Sequence, residues 1–104
     1  MNKRICNRLD LHRTLLLELD NGEILQGRTV NLSPRGALLR TDARPVGELL
    51  GRAGTLFIIS DEGHFSVGYP CKVARQEGDA IALEVDRKAA AAFGNYLTRE
   101  LLGR

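Results

Sequence analysis

Turn-forming residues recur at short intervals along this chain and separate short apolar segments. Asn21-Gly22 lies between two such segments, Ser33-Pro34-Arg35-Gly36 follows the second, and QEGD (76–79) lies between the last two. Asn-Gly is typical of a two-residue hairpin turn, and proline second with glycine fourth is typical of a type I turn. The pattern therefore predicts successive antiparallel strands.

Six strands can be placed between these turns, and the fifth shows the clearest alternation. Val67, Tyr69, Cys71 and Val73 alternate with polar or small residues, which is typical of a half-buried strand. The predicted strands cover 13–20, 23–31, 37–41, 55–60, 67–73 and 80–85. Closing such a sheet removes its exposed edges, so the sequence predicts a six-stranded antiparallel β-barrel.

A helix is the alternative for the first apolar segment. Ile5, Leu9, Leu16 and Leu19 are spaced roughly as on one helical face, and Gly22 could then end the helix. The strand is favoured, because Cys6-Asn7 in a basic tail is a poor helix start and the next segment continues as a strand.

In the last segment the apolar residues no longer alternate every two residues, and this change of period predicts one C-terminal helix. Asp86 can cap a helix over RKAAAAFGNYLTRELL (87–102), in which Phe93, Leu97 and Leu101 repeat every four residues. These three side chains are expected to pack on the barrel.

The whole chain is expected to form one domain of the all-β class with one C-terminal helix. Its 104 residues are 43% hydrophobic, which is enough for one core. We expect 1–12 to be a mobile N-terminal ligand clamp, 13–86 the barrel and 87–103 the helix.

Positive charge is concentrated at the N-terminal end. The net charge is only +2, yet the first 13 residues hold four basic residues and one acid. They are Lys3, Arg4, Arg8 and Arg13 against Asp10. A compact patch of this kind suits a small anion better than a long polyanion, so a bulk nucleic-acid binder is not indicated. A solvated basic tail is the alternative interpretation of this charge.

Several other classes of function are disfavoured. Cys6 and Cys71 form no CxxC pair, and His12 and His64 are near neither in sequence, so no metal site and no cofactor are expected. No paired acid and base or activated nucleophile is visible, so no catalytic residues and no enzyme activity are expected. No membrane-length apolar run and no signal peptide are seen, which predicts a cytoplasmic protein with no direct membrane insertion.

The stretch NLSPRG (31–36) offers polar groups at the end of a predicted strand. Asn31 and Ser33 alternate with Leu32, so their side chains leave the strand on the same face. The amide and the hydroxyl both donate and accept hydrogen bonds, and Gly36 allows a ligand to approach the backbone. Taken alone, this stretch fits an ordinary hairpin turn as well as a binding site.

Arg4 and Arg8 add the complementary chemistry. An arginine fork binds phosphate, or the O6/N7 edge of guanine, through two parallel hydrogen bonds. Four extended residues span at most about 13–14 Å, so both arginines can hold parts of one medium-sized ligand. The combination suits a guanine nucleotide.

Together, RxxxR (Arg4, Arg8) followed by [D/N]xSxxG (Asn31, Ser33, Gly36) resembles the PilZ domain family. The resemblance covers essentially the whole chain. It implies a six-stranded barrel that binds the bacterial second messenger cyclic di-GMP, with the arginines on phosphates and a guanine edge. It also implies guanine contacts from the Asn and Ser positions and close backbone approach at the glycine. With no output domain in the chain, it implies an adaptor that changes conformation and signals to an unidentified effector protein.

The chain departs from the common family pattern at several positions. Many members have aspartate at the position of Asn31, and an amide has one acceptor oxygen for guanine where a carboxylate has two. Only Lys3 precedes the first arginine, and Ala82 and Val85 stand where glycine and phenylalanine are frequent. Ligand contact by Lys3 or Arg35 is left open.

Two other functions compete with the receptor. One is a PilZ-like protein-interaction module that does not bind the nucleotide, although such proteins generally lack the motif residues present here. The other is a small barrel that binds single-stranded nucleic acid. That mode needs aromatic platforms, whereas aromatic content is 5% and tryptophan is absent.

Overall fold

Six β-strands precede one helix in the computed structural model, which describes residues 13–42 and 47–102, with side chains to Arg99. The strands are β1 (Thr14–Leu19), β2 (Ile24–Ser33), β3 (Gly36–Thr41), β4 (Ala53–Ile59), β5 (Tyr69–Glu77) and β6 (Ala80–Val85). Helix α1 (Arg87–Tyr96) follows and continues into a π-helical segment, Leu97–Leu102. None of the helices in these two ranges is long and apolar enough to cross a membrane.

The strands close into a barrel in the order β1-β2-β3-β6-β5-β4, and β4 pairs with β1. Every pairing is antiparallel. The predicted fold, a six-stranded antiparallel barrel with one C-terminal helix, is confirmed. The first apolar segment forms a strand from Thr14 onward, as favoured over the helix.

The core lies inside the barrel and is built from alternate strand residues. In β1, for example, Leu15, Leu17 and Leu19 are buried while Glu18 is exposed. Leu32 and Ile58 belong to the same cluster from β2 and β4. Burial of an aliphatic side chain contributes roughly 1.5–3 kcal/mol, so this interior supplies most of the driving force for closure.

Helix α1 covers the end of the barrel where β5 begins and β6 ends. Phe93 is fully buried, and its ring centroid lies 4.9 Å from that of Tyr69. Leu97 is buried as well, as predicted, whereas the side chain of Leu101 lies outside the described part. Asp86 occupies the N-cap position, but its side chain makes no capping hydrogen bond. The expected side-chain cap is therefore wrong, and the Asp86 carbonyl instead accepts a hydrogen bond from Ala89 N–H at 2.9 Å.

Two local predictions need correction. The β1–β2 hairpin is present, but its connection runs over four residues, 20–23, rather than two, and Gly22 adopts a positive φ of 93°. Val67 is 69% exposed and precedes β5, so the alternation predicted over 67–73 begins only at Tyr69. The alternation of apolar and polar residues therefore begins two residues before β5 starts to pair with its neighbouring strands.

Candidate nucleotide-binding site

The predicted motif NLSPRG forms the β2–β3 hairpin at the helix-covered end of the barrel. Ser33 pairs with Gly36, and Pro34 and Arg35 form the exposed connection between them. Both of these central residues have negative φ, as a type I turn requires. The turn is fixed to β6 by a hydrogen bond from Val85 N–H to the Arg35 carbonyl at 2.9 Å.

A β-bulge in β2 determines which way the motif faces. Thr29 pairs with Leu39 and Asn31 with Leu38, so Val30 is an extra residue with no opposite partner. Odd-numbered residues such as Thr29 are buried before the bulge, whereas the even-numbered Leu32 is buried after it. The bulge therefore places Asn31 and Ser33 on the outer wall, where bulges commonly redirect side chains near binding sites.

The polar groups of the motif are available for a ligand. Asn31 and Ser33 are half-buried, and neither side chain has a hydrogen-bond partner within ranges 13–42 and 47–99. Opposite them on the outer wall lie Leu38 and Gly36 of β3. The wall thus offers one amide and one hydroxyl beside a small apolar surface.

Gly36 has a structural requirement of its own. A Cβ placed there would lie 2.2 Å from the carbonyl oxygen of Leu83 in β6. Backbone cannot move aside at that distance without opening the β3–β6 pairing. The glycine therefore allows the approach of a neighbouring strand, whatever it contributes to ligand binding.

Arg4 and Arg8 lie outside the described residues, but the attachment point of their segment is described. Arg13 N–H donates to Thr29 Oγ1 at 2.9 Å, and Thr29 N–H donates to the Arg13 carbonyl at 2.8 Å. Thr29 is 1% exposed and is two residues from Asn31. The chain that carries the two arginines therefore enters the barrel beside the bulge.

A cleft of about 430 Å³ adjoins the motif turn. It is lined by Arg35, Glu84, Val85, Arg87 and Ala90. Neither arginine has an ion pair within the described part of the chain. Sequence reasoning left Arg35 open and missed Arg87, because nothing in the sequence shows that the helix start returns to the hairpin.

A comparison with protein-family models matches the PilZ domain over residues 2–99. The chain belongs to the PilZ domain family. No curated protein matches the sequence.

Solved PilZ structures share this fold at low sequence identity. The PilZ domain of CeSA from a cellulose-synthesizing bacterium has a TM-score of 0.70 and 17% identity, over 88% of this chain and 93% of that one. The PilZ domain of YcgR from Escherichia coli, solved with cyclic di-GMP, has a TM-score of 0.72 and 12% identity, over 91% and 86%. The Bacillus subtilis inhibitor of motility (MotI/DgrA) has a TM-score of 0.64 and 17% identity, over 100% of this chain and 53% of that one.

Among the cysteines and histidines of this PilZ domain, the structure describes Cys71 and His64. Burial, followed by the nearby Asp86 carboxylate, raises the pKa of Cys71 from 9.0 to about 12. His64 is exposed, whereas Cys6 and His12 lie outside the described residues. Among the residues that the structure describes, no group of three histidine, cysteine or acidic side chains could hold a metal ion.

Proposed function

We propose that this PilZ protein is a cytoplasmic receptor for cyclic di-GMP that performs no catalysis. PilZ domains are a family of cyclic di-GMP receptors, and this chain carries both motifs in order, Arg4 and Arg8 before Asn31, Ser33 and Gly36. On binding, the protein changes conformation and signals to an effector protein.

The observation that carries this proposal is the attachment of Arg13 to Thr29. Arg8 is five residues before Arg13, and five extended residues span at most about 18 Å. Asn31 is two residues after Thr29, which is at most about 7 Å further along β2. Arg8 can therefore reach a ligand held on the outward face of Asn31 and Ser33.

The available groups match the chemistry of the ligand. Arg4 and Arg8 bind phosphate oxygens and a guanine edge through paired N–H groups. Asn31 and Ser33 bind the polar edge of a guanine with their unpaired amide and hydroxyl. Residues 1–12 then act as a clamp over the ligand.

Calorimetry with the purified protein tests the proposal. Cyclic di-GMP should give binding heat at micromolar protein, whereas GMP, GTP and a single-stranded oligonucleotide should bind more weakly or not at all. The affinity should fall as salt rises, because charged contacts near the surface are screened. No heat with cyclic di-GMP, or equal binding of GTP, would overturn the receptor assignment.

Variants on β2 separate the site from the rest of the strand. Asn31→Ala and Ser33→Ala should weaken binding, since each removes a polar group that faces outward after the bulge. Gln26→Ala is the matched control, because Gln26 is an exposed polar residue of the same strand before the bulge. Equal binding by all three variants would show that the ligand lies elsewhere.

A further inference from the structure

A second depression lies in the outer wall of the barrel, between β3, β5 and β6. Its volume is about 100 Å³, roughly the share of three water molecules in the liquid. It is lined by Leu38, Arg75, Gln76, Glu77, Ala80 and Ala82. Leu38 pairs with Ala82 across β3 and β6, so the floor is apolar.

The rim of this depression carries opposite charges that are not used by the fold. Arg75 and Glu77 are exposed, and within residues 13–42 and 47–99 neither has an ion pair. They are two residues apart on one face of β5, which is about 7 Å along a strand. Both side chains are therefore free to bind one ligand edge each.

A second bulge places Arg75 on this wall. Val73 pairs with Leu83 and Arg75 with Ala82, so Ala74 is an extra residue in β5. Cys71 and Val73 are buried before the bulge, whereas Arg75 faces outward after it. The bulges of β2 and β5 thus flank the β3–β6 pair at the same height.

The two bulges align Asn31 and Arg75 in one outward row. The pairing runs Asn31 to Leu38, Leu38 to Ala82 and Ala82 to Arg75 over four neighbouring strands. Neighbouring strands lie 4.7–4.9 Å apart, so the ends of the row are about 14 Å from each other. Three members of this row, Leu38, Ala82 and Arg75, line the depression, and the fourth belongs to the motif.

The lining is suited to guanine in particular. An apolar floor takes the face of a purine ring, and the Arg75 fork matches the O6 and N7 acceptors. The Glu77 carboxylate can accept hydrogen bonds from the N1–H and N2–H groups of the same base. Adenine offers an N6 donor in place of the O6 acceptor and has no N1–H to donate.

We propose that this depression binds the second guanine of cyclic di-GMP, and that Arg75 and Glu77 determine specificity for it. This inference rests on the proposed receptor function. The first guanine binds at Asn31 and Ser33, and the ligand spans the row between the two positions.

Calorimetry with two ligands tests the inference. Cyclic di-GMP is compared with cyclic GMP-AMP, in which one guanine is replaced by adenine, on the unaltered protein, Arg75→Ala and Glu77→Gln. The unaltered protein should prefer cyclic di-GMP. Arg75→Ala should weaken cyclic di-GMP binding about five- to 140-fold, the value of one bidentate arginine–guanine contact, and the two ligands should then bind almost equally. Glu77→Gln should also reduce the preference.

Arg52→Ala is the matched control, because Arg52 does not line the depression. Its side chain instead forms an ion pair with Asp20 at 3.0 Å. It should bind both ligands as the unaltered protein does. If the unaltered protein binds cyclic di-GMP but Arg75→Ala and Glu77→Gln keep both affinity and preference, the second guanine site is wrong and the receptor function stands. Equal weakening of both ligands by Arg75→Ala also contradicts guanine recognition. Failure of the unaltered protein to bind cyclic di-GMP overturns both proposals.

Discussion

Arg13 and Thr29 hold each other through two hydrogen bonds, one to the buried Thr29 hydroxyl and one between backbone groups. The bond to the hydroxyl uses the side chain of a residue that is 1% exposed. The position at which residues 1–12 join the barrel is therefore fixed, and it lies beside the outward-facing motif.

Arg8→Ala should weaken cyclic di-GMP binding more than Arg35→Ala. Arg8 is five residues before Arg13 in the sequence, whereas Arg35 is an exposed turn residue at a variable motif position. Loss of a charged hydrogen-bond partner costs roughly 1.5–3 kcal/mol, or about ten- to 150-fold in affinity. Titration calorimetry measures the effect, and the melting temperature of both variants should stay close to that of the unaltered protein. Unchanged binding by Arg8→Ala would remove the arginine from the site.

Asn31→Asp should tighten cyclic di-GMP binding. A carboxylate accepts from both N1–H and N2–H of guanine, whereas the amide has one acceptor oxygen. A hydrogen bond to a charged group is worth about 1 kcal/mol more than a neutral one, which is about fivefold in affinity. The same calorimetry measures it, with Asn31→Ala as the weak-binding reference. Weaker binding by Asn31→Asp than by Asn31→Ala would show that this position faces a phosphate instead of a guanine.

The alternation of polar and apolar residues was enough to predict the barrel and the shared face of Asn31 and Ser33. It could not predict which face that is. Continued alternation from the buried Thr29 would place both side chains in the core. Val30 has no bulge signature of its own, because the extra residue is defined by the pairing with β3.

The surroundings of the motif also depended on tertiary pairing. The return of Arg87 to the hairpin and the row from Asn31 to Arg75 join residues that are distant in sequence. The glycine of the motif was interpreted as space for a ligand. The structure adds the carbonyl of Leu83, which only the β3–β6 register could reveal.

Gly36→Ala should destabilise the protein even without ligand. Its Cβ would lie 2.2 Å from the Leu83 carbonyl oxygen, and overpacking of this kind typically costs about 1–3 kcal/mol. Gly94→Ala is the contrast, since its Cβ would lie 3.3 Å from Pro34 Cβ and alanine favours the helix. We expect Gly94→Ala to change the free energy of unfolding by less than about 1 kcal/mol. Urea denaturation measures both, and equal stability of the two variants would contradict the packing argument.

Alkylation should distinguish the two cysteines and report the clamp. Cys71 is buried and its pKa is raised to about 12, so at pH 8 it should react very slowly. Cys6 lies between Arg4 and Arg8, and we expect it to react fast without ligand and to be protected by saturating cyclic di-GMP. Mass spectrometry of iodoacetamide-treated protein measures both sites. Cys6→Ser should lose the fast site and keep nucleotide binding. An unchanged Cys6 rate in the presence of bound ligand would show that the clamp does not close over this residue.

The raised pKa of Cys71 also predicts a loss of stability in alkaline solution. Above pH 9 the unfolded chain releases this proton while the folded protein keeps it up to about pH 12, so stability falls across that window. The contribution of Cys71 between pH 8 and pH 10 is about 1.4 kcal/mol. Urea midpoints at the two pH values measure it, and Cys71→Ala should show a smaller decrease. An identical decrease in both proteins would assign the effect to other groups.

The bulge at Val30 makes binding competence a matter of strand pairing as well as residue identity. If β2 paired regularly with β3 through Val30, the alternation of Gly27 and Thr29 would continue to the hairpin. The asparagine and the serine would then point into the barrel, where their polar groups would be buried without partners. A relative can thus carry every letter of the motif and still lack the site, when the number of residues between its buried strand position and the asparagine does not match the presence or absence of a bulge.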